Sequence, residues 1–249
     1  MADQLVEMKG ITKAYGKVLA LDAVDFSVGE QEIVGLVGDN GAGKSTLIKI
    51  LSGATKQNEG EIYFKGKKVR FESTRDAIDQ GIETIYQDSA LVPQLSVDRN
   101  LFLGREPVNK FGPFKKLDKE YMRQRAQELL QQVGISKEIS PKTAITSLSG
   151  GERQSISIAR AIFFEADLII LDEPTNNLGV EESRGVLNFI RNAKERGHSS
   201  IFITHNIHHI YQVVDRIVVL RNGRKVGDIK TDDTSVDHIT DLIIGEAAE

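Results

Sequence analysis

A glycine-rich segment between a strand-like run and a helix-like run constrains the fold of this chain more than any other feature. The run 32–37 is apolar, and the segment after it fits the pattern G-x-x-x-x-G-K-[ST], formed by Gly38, Asp39, Asn40, Gly41, Ala42, Gly43, Lys44, Ser45 and Thr46. Glycines let backbone N–H groups approach phosphate oxygens, and a helix N-terminus adds partial positive charge. The segment predicts a phosphate-binding loop.

Two side chains of this loop have predicted roles toward a bound nucleotide. Lys44 would neutralise charge on the β- and γ-phosphates, and Ser45 would ligate Mg²⁺. The sequence contains no Asn-Lys-x-Asp segment of the kind that reads guanine. The missing segment argues against a GTPase.

Strand-like and helical segments alternate along the chain. Apolar runs with strand character occur at 32–37, 82–86, 167–172, 200–204 and 216–220. Such alternation predicts an α/β fold with a mostly parallel sheet flanked by helices, which with the loop makes a P-loop NTPase. Shorter runs at 5–9, 18–28, 61–64 and 69–71 predict an N-terminal antiparallel β subdomain.

A helical insert is predicted in the middle of the chain. Strand character is missing between residues 96 and 164, and helical spacing relates Met122, Ala126, Leu129, Leu130 and Val133. The helix is expected to end at Gly134, residues 112–113 to form a loop, and Asn222 and Gly223 to form a late hairpin turn. Because no internal repeat occurs, we expect one ATP-binding domain over 1–249 with a helical subdomain at about 90–165.

Charge and composition exclude several classes of function. The net charge of -4 disfavours a dedicated nucleic-acid surface, and the absence of cysteine excludes disulfides and thiolate chemistry. The first residues mix charges without an apolar stretch, and no apolar run approaches the roughly 18 residues that cross a bilayer. We expect a cytoplasmic chain that reaches the membrane only through a partner.

The apolar run 168–171 ends in two carboxylates, Asp172 and Glu173. An acidic pair after a strand is commonly no more than the start of a loop. With a phosphate loop upstream, the pair instead favours a Walker B role, in which Asp172 holds Mg²⁺ and Glu173 polarises the attacking water as a general base.

The segment LSGGERQ at 148–154 is the most informative after the phosphate loop. Ser149 and Glu152 have capping-box spacing, so a helix begins here with the N–H groups around Gly150 and Gly151 available to an anion. Taken alone, the same residues could simply cap a helix.

With the phosphate loop and the Walker B segment, LSGGERQ resembles the signature sequence of ABC ATPases. The resemblance covers the whole chain, and the motifs occur in the family's order. It implies that Ser149, Gly150, Gly151 and Glu152 contact the γ-phosphate of an ATP held by the opposite subunit. Each active site would then be shared between two cassettes.

The resemblance also assigns roles to three residues that would be unremarkable alone. Tyr15 matches the aromatic that stacks on adenine, Gln87 the glutamine that touches Mg²⁺ or water and senses the membrane partner, and His205 the switch histidine near the γ-phosphate. His205, His208 and His209 also have the spacing of a metal site, but no further ligand is obvious nearby.

One segment departs from the family pattern. After Pro174 and Thr175, where the family's D-loop commonly runs Ser-Ala-Leu-Asp, this chain has Asn176, Asn177, Leu178 and Gly179. Loss of the aspartate puts cross-interface communication by that side chain in doubt, whereas hydrolysis itself retains Glu173 and His205.

Within the family, the segment 82–107 and the Leu-Gly version of the D-loop look like cassettes of bacterial monosaccharide importers for ribose, xylose, fructose and similar sugars. The implied partners are a second copy of the chain, two transmembrane permease chains and a periplasmic or lipid-anchored sugar-binding protein. The alternative is a non-transport ABC ATPase that acts on nucleic acid or ribosomes.

Overall fold

The computed structural model describes residues 4–86, 91–111, 114–132, 139–163, 166–176 and 178–246. The strands among these residues are β1 (Gln4–Tyr15), β2 (Val18–Gly29), β3 (Ile33–Val37), β4 (Glu59–Phe64), β5 (Lys67–Val69), β6 (Ile82–Ile85), β7 (Val108–Phe111), β8 (Phe114–Leu117), β9 (Leu168–Asp172), β10 (Ser199–Ile203), β11 (Arg216–Arg221) and β12 (Arg224–Lys230). The α-helices are α1 (Lys44–Leu51), α2 (Thr74–Asp79), α3 (Val97–Leu101), α4 (Lys119–Gln132), α5 (Gly150–Phe163), α6 (Val180–Glu195), α7 (Ile207–Val213) and α8 (Val236–Ile244).

A six-stranded sheet has the order β12-β11-β3-β10-β9-β6. Its strands pair in parallel except for β12, which returns antiparallel to β11 as the Asn222-Gly223 turn predicted. Every residue of β3 and β10 is buried, as expected for strands covered on both faces. The predicted mostly parallel sheet is confirmed.

The predicted N-terminal antiparallel sheet is also confirmed, with the order β2-β1-β4-β5. β1 and β2 form a hairpin in which Tyr15 pairs with Val18. Alternate residues of both strands are buried, among them Val6, Met8 and Phe26, so one face of the sheet adds to the core that includes Leu47 and Ile170.

A half-buried arginine joins the two sheets at the start of β11. Arg216 donates to Glu32 Oε1 at 2.8 Å, to Asp228 Oδ1 at 2.6 Å and to the Ser27 carbonyl at 2.8 Å. Burial disfavours the charged guanidinium, but these acceptors outweigh it and raise the pKa of Arg216. Burial likewise opposes ionisation of Asp228, yet Lys225 and Arg216 hold the pKa of its carboxyl below the ordinary value.

The helices present one apolar face to the core. Leu47, Ile48, Ile50 and Leu51 of α1 are buried, which anchors the helix that follows the phosphate loop. The 16-residue α6 has a similar buried face formed by Val186, Leu187, Phe189, Ile190 and Ala193. Among the described helices, none is long and apolar enough to span a membrane.

The chain separates into two compact units. The first comprises Met1–Gln87, Ala166–Pro174 and Ile190–Glu249, and the second comprises Asp88–Glu165 and Thr175–Phe189. The first segment of the second unit corresponds to the predicted helical insert at about 90–165, and Thr175–Phe189 is an addition that the sequence did not indicate. The core of this unit lies between α3, α4 and α5 and includes Phe102, Met122 and Ile156. Val133 and Gly134, where α4 was expected to end, lie outside the described residues.

The expectation of no strands between residues 96 and 164 is wrong. β7 and β8 form an antiparallel hairpin in which Val108 pairs with Leu117 and Phe111 with Phe114. Each strand has four residues and carries lysine, and Phe114 is exposed. Strands this short and this polar have too few apolar alternations to stand out against the helical pattern that begins at Lys119.

Candidate ATP hydrolysis site

Three neighbouring parallel strands deliver the main predicted site residues of the first unit to one edge of the sheet. The phosphate loop follows β3, Asp172 ends β9, and His205 lies two residues beyond β10. Leu36 pairs with Ile203, and Ile203 pairs with Asp172, so these strand ends are level. The carboxyl edge of a parallel sheet, where adjacent strands end together, is a common ligand site.

The phosphate loop is held in shape by its own backbone and by Lys44. Gly38, Gly41 and Gly43 have positive φ, and a Cβ added to Gly38 would lie 2.2 Å from the Leu220 carbonyl oxygen. Lys44 Nζ donates to the carbonyl oxygens of Gly38 at 2.7 Å and Asp39 at 3.0 Å. The ammonium is thus folded back over the loop, where phosphate oxygens could replace the carbonyls.

The charges around the loop oppose one another. Burial lowers the pKa of the Lys44 amine, and the negative charges of Glu173, Asp39 and Asp172 counteract that shift. Burial raises the pKa of the Asp172 carboxyl; the Glu173 charge adds to the rise, and Lys44 opposes it. A cation beside Asp172 would relieve the repulsion between the two adjacent carboxylates.

Glu173 is held in an uncommon backbone conformation. Its φ is 51°, and its N–H donates to the Ile203 carbonyl at 2.9 Å, which fixes it to the end of β10. Its side chain is 14% exposed, and Oε2 lies 3.0 Å from His205 Nδ1. That oxygen is buried and accepts no hydrogen bond from the described part of the chain. Glu173 thus places a carboxylate beside His205 at the edge of the sheet, and a carboxylate at such a position can serve as a general base.

Tyr15 lies at the end of β1, in a hairpin that adjoins the phosphate loop. A Cβ added to Gly43 would lie 2.7 Å from the carbonyl oxygen of Ala20 on β2. The Tyr15 ring is 49% exposed, with Lys13 Nζ 5.0 Å from its centroid. An exposed aromatic face at this place can stack on a nucleobase.

The predicted capping box at the signature segment is confirmed. Ser149 N–H donates to Glu152 Oε2 at 2.8 Å, and Glu152 N–H donates to Ser149 Oγ at 3.2 Å. α5 begins at Gly150, with Ser149 and Gly150 exposed and Gly151 buried. These residues all lie in the second unit.

The donor set of the loop and strand end fits Mg²⁺. Asp172 supplies a carboxylate and Ser45 an exposed hydroxyl, and such oxygen ligands combine with substrate phosphates in Mg²⁺ sites. Within the described residues, no cluster of three or more His, Cys, Asp or Glu side chains could hold a metal ion. Gln87, the third predicted ligand, lies outside the described residues, so its role stays a prediction.

Two helix-capping residues were missed in the sequence. Asn206 caps α7, its Oδ1 accepting from the N–H of His209 at 3.4 Å. Glu182 accepts from Gly179 N–H at 3.0 Å, a contact that the three-residue spacing of a capping box could have indicated.

Comparison with known proteins agrees with this geometry. A family model described as ABC transporter matches residues 21–176. The chain belongs to the ABC transporter family. It is an ATP-binding cassette of that family and an ATPase.

Two relatives in this family are similar over nearly their whole length. A xylose/arabinose import ATP-binding protein of Sulfolobus acidocaldarius is 45% identical over 240 residues, which cover 96% of this chain and 93% of the relative. A fructose import ATP-binding protein of Rhizobium meliloti is 41% identical over 247 residues, covering 98% and 95%. Among solved structures, the dimeric post-hydrolysis state of an ATP-binding cassette bound to ADP and Pi has a TM-score of 0.77 and 27% identity, covering 91% of this chain and 98% of that one.

Proposed function

We propose that this ABC cassette is the ATP-hydrolysing subunit of a monosaccharide importer, acting as a homodimer beneath two permease chains. The observation that carries the proposal is the group formed by Lys44, Asp172, Glu173 and His205 at the carboxyl edge of the parallel sheet. It combines an ammonium for phosphate charge, a ligand for a cation, and a carboxylate whose buried oxygen lies 3.0 Å from His205 Nδ1.

In the proposed reaction, Glu173 accepts a proton from the water that attacks the γ-phosphate. The place of Glu173 directly after Asp172 at the end of β9 supports this role, and a positioned carboxylate accelerates proton transfer by about 10² to 10⁴-fold. His205, with Nδ1 3.0 Å from that oxygen, orients the carboxylate and lies where it could donate toward the γ-phosphate. Lys44 exchanges the carbonyls of Gly38 and Asp39 for phosphate oxygens.

Asp172 and Ser45 would hold Mg²⁺, with Gln87 as a further ligand. When bound, the ion would neutralise charge on the β- and γ-phosphates. The raised pKa of Asp172 supports this assignment, because its first cause is burial and its second is the neighbouring Glu173 charge, both of which a cation offsets.

The second half of each site would come from another copy of the chain. The signature residues Ser149, Gly150, Gly151 and Glu152 would present the N-terminus of α5 to the γ-phosphate bound by the partner cassette. The capping box occupies the N–H groups of Ser149 and Glu152, whereas those of Gly150 and Gly151 have no acceptor within the helix and could meet an anion. The dimeric state of the solved cassette that binds ADP and Pi also supports this arrangement. Tyr15 would stack on the adenine.

Monosaccharide import is proposed from the relatives, which carry xylose/arabinose and fructose import in their names. The importer would include two transmembrane permease chains and a periplasmic or lipid-anchored sugar-binding protein. The cassette would then be cytoplasmic and peripheral on the inner face of the membrane. The net charge of -4 counts against the alternative action on nucleic acid or ribosomes.

Uptake by cells that lack this chain tests the proposal. Deletion of the gene should abolish uptake of one labelled pentose or hexose, the parent chain should restore it, and Glu173→Gln should not. The cassette should also copurify with membrane permease chains. Unchanged uptake of every sugar, together with copurification of ribosomes or DNA, would reject import in favour of the alternative.

A further inference from the structure

Gly151 in the signature segment has no room for a side chain. A Cβ added there would lie 2.7 Å from Glu182 Cγ and 2.8 Å from both Cβ and Cδ of Glu182. Carbon atoms in favourable contact are about 3.5 to 4.0 Å apart. The backbone of Gly151 is not in the left-handed region, so close packing against Glu182, rather than conformation, is what requires glycine here.

Glu182 also fixes the segment that precedes α6. Its Oε2 accepts from Gly179 N–H at 3.0 Å, which satisfies a donor at the helix N-terminus. Leu178 Cδ2 lies 3.4 Å from the position of a Cβ on Gly150. The Glu182 side chain therefore packs against the signature segment and accepts a hydrogen bond from the segment 178–179. All of these residues lie in the second unit.

We infer that Glu182 is a positioning residue for ATP hydrolysis, which sets the spacing between the signature segment and residues 178–179. The inference rests on the proposed function, in which the N-terminus of α5 contacts the γ-phosphate. Gly179 has no side chain, and Glu182 supplies a carboxylate to its backbone from one helical turn away. Displacement of a positioning group by about 1 Å can slow a reaction by about 10²-fold.

Steady-state ATP hydrolysis by the full chain tests this role, because a positioning residue should affect kcat and not KM for ATP. Glu182→Ala should lower kcat by about 10 to 100-fold and change KM for ATP by less than about twofold, because Tyr15 and Lys44 lie in the first unit. Glu182→Gln keeps an acceptor oxygen and should retain most of kcat. Glu181→Ala, an exposed neighbour on the same turn, is the matched control and should behave as the parent.

The contact itself is tested by pairing Gly151→Ala with Glu182→Gly, which removes all three crowding atoms. Gly151→Ala should lower kcat at least about tenfold in the parent and less than about twofold in the Glu182→Gly background. Thermal unfolding midpoints of the parent, the two single variants and the double variant should show the same coupling. This measurement does not depend on ATPase activity.

The inference is overturned if Glu182→Ala keeps the parent kcat, raises only KM, or loses no more activity than Glu181→Ala. Additive effects of Gly151→Ala and Glu182→Gly on kcat overturn it as well. Coupled unfolding midpoints with unchanged kcat would reduce Glu182 to a packing residue. A parent chain that hydrolyses no ATP while the midpoints remain coupled would reject the proposed function and leave the contact intact.

Discussion

Glu173→Gln separates catalysis from stability in this cassette. The substitution keeps the size of the side chain and removes its ability to accept a proton. Loss of a positioned base should lower kcat by about 10² to 10⁴-fold, equivalent to about 3 to 5 kcal/mol in the activation barrier. ATP binding should be retained, since the phosphate loop is unchanged and a negative charge near the γ-phosphate is removed.

The cost to folding should be much smaller. Glu173 Oε2 lies 3.0 Å from Nδ1 of His205, whose side chain is 70% exposed. Solvent at the exposed imidazole weakens this contact, so its loss should change the free energy of unfolding by about 0 to 1 kcal/mol. The two effects thus differ by at least about 2 kcal/mol, which is enough to assign the loss to chemistry.

The assay is phosphate release at saturating ATP and Mg²⁺, with thermal unfolding and nucleotide titration on the same preparations. Glu59→Gln, at an exposed position on β4, is the matched control. Hydrolysis by Glu173→Gln within about twofold of the parent rate refutes the general-base assignment. A fall in activity that parallels a fall in unfolding temperature would attribute the effect to folding instead.

Three further outcomes are expected. Tyr15→Ala should weaken ATP binding by about 1 to 3 kcal/mol in a titration while Tyr15→Phe does not, and equal affinities for Ala and parent would remove the ring from the site. Lys44→Ala and Ser149→Arg should each be nearly inactive. A mixture of the two variants should recover about a quarter of the parent ATPase activity, because half of the dimers are mixed and each mixed dimer has one intact site. A monomeric parent protein whose specific activity is independent of its concentration would contradict the sharing of sites between two copies. Asp228→Asn should lower the free energy of unfolding by about 1 to 2 kcal/mol at neutral pH. Because the pKa of Asp228 is depressed in the folded protein, its ionised carboxyl stabilises the fold above the unfolded carboxyl pKa, and this contribution is lost as pH falls through the folded pKa. The difference in unfolding free energy between the parent and Asp228→Asn should therefore vanish in acid. A difference that stays constant with pH would exclude the ionised carboxyl as its source.

The sequence predicts the elements of the fold where one physical signal is strong. The buried runs that became β3 and β10, the phosphate loop and the Ser149-Glu152 capping box depend on local pattern and were found where expected. The hairpin of β7 and β8 was missed because its strands are short and polar. The contact between Gly151 and Glu182 was missed because it joins residues 31 positions apart, and close packing leaves no local pattern in the chain.

The sequence nominated Glu173 for the candidate site but did not predict its conformation. Nothing in the amino-acid sequence around Glu173 indicates that its φ is 51° or that its Oε2 atom is buried without a hydrogen bond. Both arise from the junction of β9 with β10, where the N–H of Glu173 meets the Ile203 carbonyl. Such properties belong to the packed sheet rather than to any one segment.

The hydrogen bonds of Lys44 to its own loop bear on how the product leaves. An ammonium that lost phosphate and had no other acceptor would remain half-buried and desolvated, which costs free energy and would retain ADP. Here the carbonyls of Gly38 and Asp39 accept from Nζ at 2.7 and 3.0 Å, so the charge has acceptors before ATP arrives and after ADP departs. A phosphate that binds to Lys44 must therefore replace two existing hydrogen bonds, which offsets part of the free energy of its binding.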